Sequence, residues 1–521
     1  MSILVDACNE GDFNRVRLLV QQGADVTEYD NEALVCAAER GHLEVVKFLM
    51  ENGADVTAQD NLAVVRTAES GHLEVVKVLM QKGANVTACD NRAVIWAANQ
   101  GHLEVVKFLM ENGADVTAHH NEALGGAARH GHLDLIKFLI QQGVDITAQD
   151  NEALFYAARD GHLEVAKFLV EQGADVTAQD NYAVMRTAES GHLELVKFLV
   201  QKGANVTARD NQAVIWAANQ GRLEVVKFLT ENGADVTARD NQALVYAARH
   251  GYLDLTKFLI QQGANVTVQD NQALVHAAEN GHLEVAKFLV EQGADVTAQN
   301  NQSIFHAARD GHLDLVKFLV QQGADITAQD NQALVYAAEN GHLEVAKFLV
   351  EQGADVTAQN NQSLFHAASY GHLEVVKFLV EQGADVTVYD NQSLANAVIY
   401  QHPEVAKFLV ERGAKVTRTI LSGMNQFDIK WLPLLLHARE GLELKNLSVS
   451  EIGIGLARIY IRIPKDNPLL SELVTSLRAQ QGVPYLLPLH VSIIAIISDF
   501  LSGRFDRELL ELYSVPATTT H

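Results

Sequence analysis

The sequence predicts an all-α helical solenoid of about 14 repeats over residues 1–420, followed by a small α-helical domain over residues 421–521. Three observations lead there. Asn returns every 30 residues from Asn31 to Asn391, and two Gly series, Gly11 to Gly371 and Gly23 to Gly413, keep the same step without an insertion. Those two series hold 27 of the 35 glycines, so the period sets the backbone as well as the composition. Each unit carries two short helical patterns, and no unit of this length can bury its own apolar faces, so neighbouring units must stack.

The unit DNEALVCAAERGHLEVVKFLMENGADVTAQ shows the elements in order. In its first helix Leu34, Ala37, Ala38 and Gly41 fall at i, i+3, i+4 and i+7, one apolar face. Asn31 is placed to cap that helix, because its side chain can accept an orphan backbone N–H. Gly41 ends the helix and His42 begins the turn to the next. The second helix, LEVVKFLM, is apolar on more than one side, which suits a helix held between neighbours. Gly53 supplies the left-handed residue that ends it, and ADVTAQD is an extended and turn segment. The terminal units read as caps. DFNRVRLL breaks the apolar pattern with Asn14, Arg15 and Arg17, while QHPEVAKFL puts Gln401 in place of Gly and Pro403 in place of Leu. A longer period lies over the short one. RTAES recurs at 66 and 186, WAANQG at 96 and 216, and AARHG at 127 and 247, which points to growth by block duplication.

The segments ALVCAA, ERGHLEVVKFL and NGADVTA resemble the ankyrin repeat, which favours TPLHxAA, GHLEIVxxLL and GADVNA in the corresponding places. The resemblance covers about 80% of the chain. It implies a curved stack of helix pairs whose first helices line a concave face. The unit is 30 residues long where that family usually has about 33, and the shortening falls before ALVCAA, so the projecting tips should be short. Short repeats of this cast are similar to those of giant viruses and intracellular bacteria, which would place the chain in a host cytosol and in host–pathogen interaction.

In the first helix, position 36 and positions 39–40 point away from the core direction at about 100° per residue. Position 36 and its equivalents are also the most variable in the unit. They include Arg66, Trp96, Tyr156, Arg186, Trp216, Tyr246, His276, His306, Tyr336 and His366. A row rich in Trp, Tyr and Arg has the composition of interface anchors, so these residues are the candidate partner-binding set. The competing expectation is that large side chains there only fill the seam between adjacent helices.

Other patterns point away from chemistry. Of the 21 histidines, 11 sit in the Gly-His turn, where they are expected to tie adjacent loops by hydrogen bonds. There is no H-x-x-x-H with a carboxylate partner and no C-x-x-C, so no metal or other cofactor is expected. Glu44 and Lys47 recur as an i, i+3 pair on a solvated face. The composition is 48% apolar and 20% charged, which excludes a disordered chain. A net charge of -25 disfavours nucleic acid and anionic membrane as partners. Only three cysteines, no secretory signal and no apolar run of about 18 residues fit a cytoplasmic chain that does not span a membrane.

After residue 420 the period stops. Residues 1–420 carry 31 basic and 55 acidic side chains, against 9 and 10 beyond them, so the acid excess belongs to the repeats. Helices are expected at roughly 425–440, 449–461, 468–481, 488–502 and 504–513. LPLHVSIIAIISDFL resembles the Leu-Pro start of F-box and related viral C-terminal boxes. That resemblance implies that Leu487, Pro488, Ile494, Ile497, Phe500 and Leu501 could dock a ubiquitin-ligase adaptor; the alternative is a structural cap on the solenoid. No G-x-S-x-G, P-loop or kinase glycine loop is present, so no enzyme is expected, although an unrecognised active site in 421–521 stays open.

Overall fold

Within the described residues the apolar spacing of the repeats becomes helix. The computed structural model describes residues 3–415. Within them 28 helices alternate as pairs, beginning with α1 (Ile3–Glu10), α2 (Phe13–Gln21), α3 (Glu28–Glu39) and α4 (Leu43–Glu51) and ending with Pro403–Glu411. Two compact units are distinguished, Met1–Asn265 and Val266–His521. Within each unit, first helices pack closely on the first helices before and after them, while second helices meet one another more sparsely. The small side chains explain the difference: Ala33, Ala37 and Ala38 are fully or almost fully buried and let the helix axes approach. The expected domain over 421–521, its five helices and the adaptor-docking residues Leu487, Pro488, Ile494, Ile497, Phe500 and Leu501 lie outside the described residues.

Each core is a repeated layer. In α3 and α4 it comprises Leu34, Val35, Ala37 and Ala38 with Val45, Val46 and Leu49. Leu43, Phe48 and Met50 are half-buried, as a helix sandwiched between neighbours requires. The first unit ends its stack with polar side chains, since Val16 alone is buried in α2 and Leu18 is exposed. The closing helix starts with Pro403 at its first turn, where the missing N–H costs nothing.

The turn before the first helix departs from expectation. Tyr29, Asp30 and Asn31 all adopt left-handed angles, with φ of 52°, 55° and 66°. The same three-residue turn recurs through Tyr389, Asp390 and Asn391. Asn31 is therefore not a helix cap. Its buried side-chain oxygen accepts the backbone N–H of Asp55 at 2.8 Å, 24 residues on. Equivalent bonds join Asn151 to Asp175, Asn211 to Asp235 and Asn331 to Asp355, each at 2.8 Å. A left-handed non-glycine residue costs roughly 1–2 kcal/mol, and a satisfied buried bond of this kind recovers part of that. Adjacent turns are also cross-linked. Gln59 donates to Asp30 O at 2.8 Å, and Gln299 donates to Asp270 O at 2.9 Å. In place of a projecting hairpin, each repeat thus carries a tight left-handed turn, and the tips are short as the 30-residue period requires.

The Gly-His turn behaves as anticipated. His42 meets Asn9 O at 3.2 Å, His162 meets Arg129 O at 2.8 Å and His372 meets Glu339 O at 2.8 Å, always from one repeat to the one before. Arg222 takes the same place and donates to Glu189 O at 3.2 Å. The preceding glycines are doubly constrained. Gly131 has φ +78°, and a Cβ there would sit 2.6 Å from Nδ1 of His162.

Candidate functional site

The variable row of the first helices is half-buried from Cys36 to His366, and Asn396 at its end is buried. Its geometry follows from register. Residues 30 apart stand side by side on neighbouring helices, and residues i and i+4 meet on one helix. In the unit ending at Asn265, Arg66 lies over the Trp96 ring at 5.1 Å from its centre, and Arg92 lies over the same ring at 5.3 Å. Arg186 stands over Trp216 at 5.4 Å, the same arrangement in the duplicated block. Each arginine is also held by its own helix: Arg66 pairs with Glu69 at 2.9 Å and Arg186 with Glu189 at 2.5 Å. Nε of Arg186 is buried without a hydrogen-bond partner.

An aromatic group leads up to Trp216. Phe155 stacks on Tyr182 at 5.1 Å, and Tyr182 meets Trp216 edge-on at 6.2 Å. Arg159 covers Tyr156 at 5.1 Å, while its guanidinium pairs with Asp160 at 2.8 Å. Burial, then Glu152, pushes the Tyr156 phenol up. Tyr246 accepts a hydrogen bond from Gln242 at 3.0 Å.

In the unit beginning at Val266 the row changes character. His276 is held between Gln272 at 2.9 Å and Glu279 at 3.0 Å, and Glu279 also receives Arg309 at 3.0 Å. Burial, then the charge of Arg309, pushes His306 down. Burial raises the Glu279 carboxyl, but bonds from His276 and Arg309 outweigh it, so that its net shift is downward. Tyr336 meets Phe305 edge-on at 6.4 Å, and His366 faces Gln362 at 3.2 Å and stacks with Tyr370 at 6.5 Å.

The structure therefore brings the row residues together with Arg159 and Glu279, at the outward position 39 of their repeats, and with neighbours that sequence reasoning missed: Arg92, Phe155 and Tyr182. Most are variable too, and Arg92 and Tyr182 stand four residues before Trp96 and Arg186. The i, i+4 rule applied to the variable position would have found them.

Chemically the row offers aromatic faces, guanidinium groups and carboxylates held in fixed positions. Burial pushes the Cys8 thiol up to about 12 and the Cys36 thiol up to about 11, so both are protonated at neutral pH and neither is a ready nucleophile. Among the described residues no group of three or more His, Cys, Asp or Glu could hold a metal ion. No helix among them is long and apolar enough to cross a membrane.

Stacked helix pairs, many tied to the pair before by a turn histidine and most closed on themselves by an asparagine such as Asn31, define a helical repeat protein whose variable side chains form a half-buried row. The family model for ankyrin repeats, three copies per match, aligns over residues 1–60, 61–120, 117–180, 154–240, 239–300, 298–360 and 360–420. The chain belongs to the ankyrin-repeat family. No curated protein matches it.

Proposed function

We propose that this chain is a non-catalytic scaffold that binds a protein partner along the row of first-helix residues. Ankyrin repeats are protein–protein interaction modules, and the family assignment supports that class of function. The observation that carries the choice of surface is the pre-organised pair Arg66–Trp96 and its copy Arg186–Trp216. Each tryptophan is half-buried, so it is fixed by its neighbours and still presents surface. Rigid aromatic and Arg side chains lose little entropy on binding and dominate interface energies. The binding set is Arg66, Trp96, Tyr156, Arg186, Trp216 and Tyr246 in one unit and His276, His306, Tyr336 and His366 in the other. A cytoplasmic setting suits three cysteines that are all free thiols.

The test is capture of partners from cells by the full chain, compared with Trp96→Ala/Trp216→Ala. The double variant should lose a captured protein at least about tenfold, the loss expected for hot-spot truncation above 1.4 kcal/mol. Lys47→Ala/Lys77→Ala, on the solvated side of the second helices, should retain it. Equal capture by both variants would overturn this surface. Docking of a ubiquitin-ligase adaptor through Leu487, Pro488, Ile494, Ile497, Phe500 and Leu501 is a second proposal, supported by the Leu-Pro pattern alone. Deleting 485–521 should then remove the adaptor and leave the other partner bound.

A further inference from the structure

The row of large side chains has one break. Where the duplicated block carries Val245-Tyr246, residues 125 and 126 are both glycine. The break opens a cleft of about 270 Å³ bordered by Asn99, Glu122, Gly125, Gly126, Glu152 and Tyr156. Sites that enclose a drug-sized molecule run to roughly 300–1,000 Å³, so this volume suits a single side chain.

Acceptors and donors both line the cleft, but the donors are engaged elsewhere: Gln149 is turned to His120 O at 3.3 Å, and Arg129 to Asp160. Asn99 Oδ1 is buried and has no hydrogen-bond partner. It occupies the space a side chain at 126 would need, since a Cβ added there would overlap it. In the copy, where Tyr246 fills that space, Asn219 Oδ1 instead meets Nε2 of His250 at 3.1 Å. His130, the counterpart of His250, turns the other way and donates through Nδ1 to Gly126 O at 3.0 Å, so it does not engage Asn99. Glu152 already accepts the Tyr156 hydroxyl, and its Oε2 stands 3.7 Å from where a Cβ at Gly125 would lie, beside the Tyr156 ring, with lone pairs to spare. Glu122 is exposed at the rim. Arg129 also lines the cleft but is engaged, its guanidinium 5.8 Å from the centre of the Tyr156 ring and 3.9 Å from Asp160. His119 is exposed on the left-handed turn at the edge.

We propose that the Gly125–Gly126 cleft takes the guanidinium of an arginine side chain presented by the protein partner. Two carboxylates and an unpartnered amide oxygen beside an aromatic ring match a planar fork of donors. Lysine, a compact point charge, would satisfy fewer of them. The net charge of -25 attracts a basic segment at longer range, and the cleft then selects within it. The inference rests on the first-helix row as the binding surface, but it is read out separately.

The experiment is saturation-transfer NMR on the full chain with acetyl-Gly-Arg-Gly-amide, alongside the citrulline and lysine versions of the same peptide. Saturation should concentrate on the arginine side-chain methylenes, and the citrulline peptide should give at least about fivefold less, since it keeps the shape and loses the charge-assisted bonds. Gly125→Val/Gly126→Tyr, which installs the pair the sister repeat already accommodates, should abolish the arginine signal without altering net charge. Glu122→Gln/Glu152→Gln should weaken it and leave the cleft open. Equal transfer in the wild type and the Val-Tyr variant would mean attraction to the acidic surface only and overturn the proposal, as would no transfer to the wild type. Loss of the cellular partner in the tryptophan variants, with no arginine signal here, would leave the scaffold standing and remove only the cleft.

Discussion

A glycine in the Gly-His turn answers to two demands at once, and the two can be separated within a single repeat. Gly131 and Gly143 have φ of +78° and +86°, so an L side chain is strained at either. Only Gly131 is also crowded, because a Cβ there meets the His162 ring, whereas nothing lies within 4 Å of the Cβ position at Gly143. Gly143→Ala should cost about 1–2 kcal/mol, the price of the left-handed conformation alone. Gly131→Ala should cost about 1–3 kcal/mol more, as overpacking displaces His162 from Arg129 O. Urea midpoints of the two variants measure the difference, and equal shifts would show that the close approach carries no energy. The sequence announced both glycines through their period but could not say which was crowded, because crowding depends on a ring 31 residues away. Asn31 was misread for the same reason: a cap and a 24-residue tether use the same side-chain oxygen, and only the folded register decides between them.

At the level of the element, the loop after most second helices is closed by a local polar bond. Asp55 Oδ1 receives both the backbone N–H of Thr57 at 2.8 Å and its hydroxyl at 2.7 Å. These bonds to the ionised form hold the Asp55 carboxyl below the usual carboxylate range, and the same cause lowers Asp25, Asp145, Asp175, Asp295, Asp355 and Asp385. A group whose folded value lies below its unfolded value contributes stability above the unfolded value and loses it as pH falls through the folded one. The loss should therefore set in near pH 4, about where free aspartates titrate, and deepen with further acid. Nature has already placed a non-titrating control in the array. Asn85 and Asn205 accept the same pair of bonds from Thr87 and Thr207, at 2.8–3.0 Å. Changing Asp55, Asp175, Asp295, Asp355 and Asp385 to Asn should flatten the stability curve below pH 4 and leave it nearly unchanged at pH 7. Chemical denaturation between pH 3 and 7 reads this, and an acid limb as steep as the wild type's would rule out these loops as its source.

Much of the element level was legible. Apolar spacing gave the two helices, and the Glu44–Lys47 spacing gave an ion pair seen at 2.9 Å. The histidines, too, join loops as anticipated. The left-handed turn was not legible, since Gln-Asp-Asn and Tyr-Asp-Asn carry no glycine to mark positive φ. For the candidate site, variability located the row, but the partners that hold it in place come from adjacent helices and needed coordinates.

Across the whole molecule, two electrostatic effects act with opposite signs. The recurrent Lys–Glu pairs on the second helices, such as Lys107–Glu104 at 2.7 Å and Lys347–Glu344 at 2.7 Å, are each worth about 0.2–0.5 kcal/mol and weaken with salt. Against them stands the excess of acids in residues 1–420, where 55 carboxylates face 31 basic groups. Pairing within a repeat cancels charge locally and leaves that excess untouched, so its repulsion accumulates from repeat to repeat. At about 0.01 M salt the screening length is roughly 30 Å, far beyond the spacing of adjacent helices at about 8–10 Å; at 0.1 M it falls to about 10 Å. Repulsion between non-adjacent repeats should thus be suppressed, while contacts shorter than 3 Å are screened far less. The thermal midpoint should rise as sodium chloride goes from about 0.01 to 0.1 M. A falling midpoint would show that the local pairs outweigh the net charge. The same excess predicts that binding of a basic partner weakens over that range even as the fold gains stability, so the two measurements made on one sample should move in opposite directions.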